Sequence, residues 1–409
     1  MESSVAENIT PEAIEPKEYL KVSEIMERAC EDGVFPGAVL LVGRGGEVEY
    51  LKSFGVFSLE TDGDSADRLP CSAVFDIDTL TQAVITSVLI MILLDKGNLR
   101  LNERVSRYVQ TFGVHGKSEI TIEQLLDHSS GLMGHYPFYQ ELYELDKTSR
   151  PGMIASSSAK EYVYNFIHRA QLKYRPGSKH SYSEIGYIVL GEIIELLTGY
   201  SLDRAAVKYL FKPLKLRDTG FVDLGLLKRG TVSAIPERIA PTVACSWRKR
   251  TLRGEVHNEN AWAMGGISGH AGCFSTALDV HSIVSHLIAS YHGKGVLVSE
   301  ETIKRFWYPG MPAYPSRGFS ERVRSEHGVL SVRWRYGWEG AVKENGMDSS
   351  GLSSMAVGHN SGTGCSVWIE PEAGVDIVLL TNSLHSSRSN NKKIASFVPM
   401  IVREVASML

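Results

Sequence analysis

The sequence predicts an α+β protein, in which both ends of the chain build one antiparallel sheet flanked by helices and a mostly helical domain is inserted between them. Three observations predict it. An amphipathic helix near the N-terminus is followed by two strand-like segments around a tight turn. A second pair of strand-like segments precedes a helix at the C-terminus. The long stretch between these ends reads mainly as helices.

Taken in order, Tyr19, Leu20, Val22, Ile25, Met26 and Ala29 recur at helical spacing, and Gly33 offers a stop. Residues 38–42 and 48–54 read as strands joined at Arg44-Gly45-Gly46. Residues 79–95 form a strongly apolar helix ending at Gly97, and 122–126 begin a shorter one. Residues 184–198 form another, with Gly199 where a left-handed cap is favoured. Residues 278–291 follow a capping-box-like start, Thr276-x-x-Asp279. Near the end, 365–370 and 375–381 are strand-like around Pro371-Glu372-Ala373-Gly374. Ile394, Phe397, Val398, Ile401, Val402 and Val405 then trace one face of a last helix, with a kink expected at Pro399. The expected division is a sheet domain from 11–74 and 325–409, and a helical domain from 75–324, with a cleft between them.

Composition narrows the function classes. With 409 residues, 43% hydrophobic and 22% charged, the chain is of ordinary globular type. Its formal charge of −4 gives no electrostatic reason to expect nucleic acid or a membrane surface as partner. The basic cluster Trp247-Arg248-Lys249-Arg250, with Arg253 beyond it, reads as a solvated loop or edge strand. Five scattered cysteines without Cys-x-x-Cys spacing suggest buried free thiols. The first residues lack the basic and apolar regions of a signal peptide, which points to a cytoplasmic location, or a periplasmic one if a leader has been removed. The apolar run 83–94 is too short to span a bilayer. His128, His257 and His270 lack metal-ligand spacing, and the glycine-rich 265–269 lacks the Gly-Lys-Ser/Thr ending of a phosphate loop. No metal or cofactor is expected.

Three stretches carry a family resemblance. Phe75-Asp76-Ile77-Asp78-Thr79-Leu80-Thr81-Gln82 resembles the segment around Ser-x-x-Lys in class C β-lactamases, D,D-peptidases and related esterases. Tyr182-Ser183-Glu184, preceded by Pro176-Gly177, is similar to their Tyr-x-Asn stretch. His359-Asn360-Ser361-Gly362 resembles their His/Lys-Thr-Gly strand, with Trp368-Ile369 and Leu380-Thr381-Asn382 following. The resemblance runs from about residue 35 to 385 and implies the β-lactamase/transpeptidase-like fold of the penicillin-binding proteins.

In that family the serine stands at the start of a buried helix, where free N–H groups favour developing negative charge. The lysine lies one turn on, held neutral so that it can take the serine proton. The tyrosine relays a proton, and the third motif's backbone helps to hold substrate and oxyanion. This sequence departs from the pattern. Thr79 keeps a hydroxyl but adds a methyl, and Gln82 is an amide that cannot act as a base near neutral pH. Glu184 replaces the asparagine, and Asn360-Ser361 replaces Thr-Gly. Losing the lysine and gaining a carboxylate both make the centre more negative, which disfavours the carboxylate of penicillins and stem peptides.

Three of the positions have two readings. Thr79 is a helix-capping hydroxyl or a nucleophile. Gln82 is a neutral filler of the lysine's space. Tyr182 is a relay or a core tyrosine. Glu184 is a helix-start carboxylate or a substitute base raised by burial. His359, Asn360, Ser361 and Gly362 are expected to line the cleft. The leading expectation is a catalytically impaired or inactive homologue whose cleft binds a small molecule, peptide or partner. The alternative is a weak esterase, amidase or peptidase using Thr79 with Tyr182 and Glu184. A third possibility is an interaction protein whose functional surface lies outside the cleft.

Overall fold

The computed structural model describes residues 12–58, 67–228, 237–308, 321–325, 328–340, 351–385 and 391–409. Its centre is an eight-stranded antiparallel sheet: β1 (Gly37–Arg44), β2 (Glu47–Gly55), β3 (Glu321–Ser325), β4 (Gly328–Trp334), β5 (Glu339–Gly340), β6 (Val357–Asn360), β7 (Ser366–Glu370) and β8 (Val375–Thr381). The spatial order is β2-β1-β8-β7-β6-β5-β4-β3. The chain's two ends therefore join at β1 and β8, in register from Ala38 opposite Thr381 to Arg44 opposite Val375.

Both faces of β1 are buried, which explains its unbroken apolar run. Ala38, Leu40 and Val42 pack with Val22 and Met26 of the Leu20–Glu31 helix and with Phe397, Ile401 and Val405 of the Asn391–Ala406 helix. Val39 and Leu41 turn the other way, into a larger core with Val280, Ile283 and Val284 of the Ala277–Tyr291 helix. Period-2 alternation thus feeds two cores from one strand. The inner helices begin and end where their caps require. Ser183 accepts the Gly186 N–H at the start of Glu184–Thr198, and Gly199 closes that helix at φ +69°. Thr276 accepts the Asp279 N–H ahead of the Ala277–Tyr291 helix.

One element differs from expectation. The helix following Thr79 is not uniform: Gln82–Ser87 is π-helical and only Val88–Asp95 is regular α-helix. Every residue from Gln82 to Leu93 is buried, so the sequence there has no amphipathic phase to betray an extra residue in the turn. Cys71, Cys245, Cys273 and Cys365 are buried thiols, and Cys30 is half-buried. Among the described residues no single helix is long and apolar enough to cross a membrane.

Candidate functional site

The start of the buried helix is built by two aspartates. Phe75–Asp76 pairs with Cys273–Ser275, and the chain then turns through Asp78 at φ +45°, a left-handed conformation that aspartate tolerates better than most residues. The buried Asp76 carboxylate accepts the Asp78 N–H at 2.9 Å and the His257 N–H at 2.6 Å. Burial pushes its carboxyl up to about 6 against these bonds and the Arg248 charge.

Arg248 secures the His257 segment, donating to the Val256 carbonyl at 2.7 Å and the His257 carbonyl at 3.0 Å. Its guanidinium lies 4.8 Å from the Trp262 ring centre. The basic cluster is therefore not simply solvated. Lys249 and Arg250 face solvent, whereas Arg248 is a support of the site.

Asp78 itself is buried, and its Oδ2 accepts the Gly362 N–H at 3.1 Å. Burial pushes this carboxyl up to about 7; the His257 charge pulls it down, Asp76 and Glu184 push it up, and the Thr79 N–H also favours its ionised form.

Thr79 is 8% exposed, and its hydroxyl has no hydrogen-bond partner among the described residues, so it does not cap the helix. Gln82 is wholly buried one turn on, and its Nε2 lies 2.7 Å from the Tyr182 hydroxyl. As placed, the amide donates and the phenol accepts. With the amide turned, the phenol would donate instead; in neither orientation is Gln82 a base. Its Oε1 has no partner among the described residues. Burial, then the Glu184 and Asp78 charges, hold the Tyr182 phenol well above its ordinary range. Behind it lies His128 at φ +59°, its ring centre 4.8 Å from that of Tyr182 and its Nδ1 accepting the Ser183 N–H at 3.1 Å. Burial drives His128 down to about 3.

Glu184 is the first residue of its helix, and its Oε2 lies 3.1 Å from His135 Nδ1. Burial pushes the carboxyl up, but the bond to His135 and the His270 charge outweigh it and hold Glu184 below its ordinary value. This corrects the reading of Glu184 as a base raised by burial: a partner that the sequence did not reveal stabilises its charge. His270 engages both ring nitrogens, with Ser268 Oγ at 2.8 Å and Asn258 Oδ1 at 3.0 Å.

The third motif divides by strand alternation. His359, expected to line the cleft, is 1% exposed, and burial lowers its ring to about 4. Asn360 faces outward and is bound by Glu339, which accepts its N–H at 3.1 Å and its Nδ2 at 2.8 Å. Ser361 turns back on the loop, its N–H to the Cys365 carbonyl and its hydroxyl 2.9 Å from that of Thr363. Gly362 alone of the four addresses the Thr79 region, through its N–H. The structure thus brings Thr79, Gln82, Tyr182, Glu184 and Gly362 into one neighbourhood, with His359 buried close enough for its charge to act on His128. Asp76, Asp78, His135 and Glu339 are functional or supporting residues that sequence reasoning missed. Their one advance signal was the Asp76-x-Asp78 spacing just before Thr79.

Comparisons with known proteins bear on this arrangement. A sequence model of the family described as Beta-lactamase matches residues 22–397. The chain is 30% identical over 387 residues to a Bacillus subtilis (strain 168) protein named N-acetylmuramyl-L-alanine amidase, covering 90% of this chain and 82% of that protein. Among solved structures, the hydrolase EstCE1, described as having promiscuous acyltransferase activity, superimposes with a TM-score of 0.69 at 20% identity, covering 94% of this chain and 98% of that one. A penicillin-binding protein homologue from Caulobacter crescentus gives 0.68 at 18% identity, with 96% and 98% covered. At such identities the structural likeness speaks for the fold alone.

Proposed function

From the premise that this chain belongs to the β-lactamase family, with a match spanning residues 22–397, we propose that its cleft binds a small molecule or peptide without forming an acyl-enzyme. The observation that carries the reading is the 2.7 Å contact between the Gln82 amide and the Tyr182 hydroxyl. Nucleophilic catalysis needs a group that takes the hydroxyl proton. At the lysine's place stands an amide, and the phenol that could share the task is held protonated. Glu184 is engaged with His135. A second support is charge. Glu184 is held in its ionised form and its charge acts on the Tyr182 hydroxyl, so a neutral or cationic ligand suits the cleft better than a carboxylate.

One observation favours a second reading, weak hydrolysis at Thr79: the hydroxyl is retained and is not tied to another described residue. Steady-state hydrolysis of p-nitrophenyl acetate separates the two. The expected result is no saturable turnover in the wild type beyond that of Thr79→Ala. Saturable turnover abolished by Thr79→Ala would establish the second reading.

A further inference from the structure

The Asp78 side chain reaches the loop after β6, where its carboxylate accepts the Gly362 N–H. At the start of the buried helix the first N–H is that of Thr79, which favours the ionised form of the same carboxylate. The next three N–H groups are already engaged: Leu80 with the Ile77 carbonyl, Thr81 with that of Asp78 and Gln82 with that of Thr79. The Thr79 N–H stands outside that series. We infer that Asp78 sets the specificity of the cleft: its carboxylate fills the notch at the Gly362 N–H and closes that donor to the carbonyl or carboxylate oxygen of any ligand. The inference rests on the cleft being a ligand site, but not on whether Thr79 reacts.

Three features mark a built arrangement rather than an ordinary helix cap. A capping aspartate accepts from the second or third helical N–H, and those are taken here by backbone carbonyls. The acceptor and the Gly362 donor are 284 residues apart, so the contact joins the helix start to the loop after β6. Gly362 has no positive φ that would require glycine, yet a Cβ there would stand 3.0 Å from Asp78 Oδ2. Its lack of a side chain is what lets the carboxylate seat. Asp78 is in turn held by Asp76, through its own N–H.

The chemical consequence is direct. A backbone N–H in a buried setting at the start of a helix is a place for a negative or partly negative oxygen. With the Asp78 carboxylate seated there, an incoming anion finds the Gly362 donor taken and, where Asp78 is ionised, meets a like charge. Ligands that present N–H groups or a positive charge meet no such barrier.

Acetate is the probe, titrated into protein labelled with [15N]glycine at constant ionic strength while the Gly362 amide resonance is followed. That resonance is assigned by its loss in Gly362→Ala. Asp78→Gly empties the notch and suits the left-handed backbone. Its Gly362 resonance is expected to shift saturably, with acetate binding at least tenfold more tightly than in the wild type or in Asp78→Asn, which keeps an oxygen in the notch. Acetate binding equally well to the wild type overturns the inference, as does a folded Asp78→Gly that takes no acetate. A second readout does not depend on that variant folding. The wild-type Gly362 amide shift should follow the ionisation of Asp78, a carboxylate acted on by His257, Asp76 and Glu184, and the step should vanish in Asp78→Asn. A flat wild-type profile would overturn the contact itself. Ester turnover at Thr79 with acetate still excluded would refute the proposed function and leave this inference standing.

Discussion

Replacing Gly269 by alanine is expected to destabilise the protein by about 3 kcal/mol or more, because the added methyl meets backbone rather than a movable side chain. An alanine Cβ at this position would stand 2.1 Å from the Tyr187 carbonyl oxygen and 2.9 Å from the Gly191 nitrogen. Gly191 belongs to the Glu184–Thr198 helix and makes the reciprocal approach, its own Cβ site lying 3.0 Å from the Gly269 nitrogen. Two glycines thus let a loop cross a helix at backbone contact. The same loop anchors the helix that follows Thr79, since the Thr86 hydroxyl donates to the Gly269 carbonyl at 2.7 Å. Displacing the loop therefore disturbs the site as well as the core. Urea unfolding checks the effect, and Gly191→Ala, with longer contacts, should cost less. A loss below about 1 kcal/mol for Gly269→Ala would mean that the crossing is looser than described.

The second large effect is expected at Asp76. Asp76→Ala leaves the N–H groups of Asp78 and His257 without their acceptor in a buried setting. Each such loss costs about 1–3 kcal/mol, giving about 2–6 kcal/mol in all. Asp76→Asn retains one acceptor oxygen and should cost clearly less. Its smaller penalty also reflects that burial already disfavours the charged form of this carboxyl. The role is positional: with Asp76 truncated, nothing in the described contacts holds the Asp78 N–H, and the turn that presents Thr79 loosens. Equal losses for alanine and asparagine would argue that the carboxylate's charge, not its acceptor geometry, stabilises the turn.

Much of the fold was legible because local signals agreed with one another. Residues 375–381 form an apolar run that opens just after Gly374, and they are strand β8. Ser183 and Gly199 bracket a helix whose limits match its caps. The strands β3 to β5 were not read. β5 has only two residues, and β3 and β4 interleave arginine and serine with their apolar residues, so none of the three forms an apolar run. At the site, motif spacing placed Thr79, Gln82, Tyr182 and Glu184 correctly in one neighbourhood. What it could not give were the partners. His135 and Glu184 are 49 residues apart, Glu339 and Asn360 are 21 apart, and Asp78 and Gly362 are 284 apart. Such pairs leave no periodic trace, and each one changes the chemistry of the residue it touches. His359 is a further case: its motif position says nothing of its burial, which the strand pairing sets.

The central claim is that the cleft holds a ligand without acylation, and intact-protein mass tests it most directly. Wild type and Thr79→Ala would each be incubated with a fluorophosphonate, a penicillin and an activated ester, with folding verified by thermal unfolding. No adduct is expected on the wild type beyond what Thr79→Ala also shows. A single stoichiometric adduct on the wild type that disappears in Thr79→Ala would contradict it and make Thr79 a nucleophile.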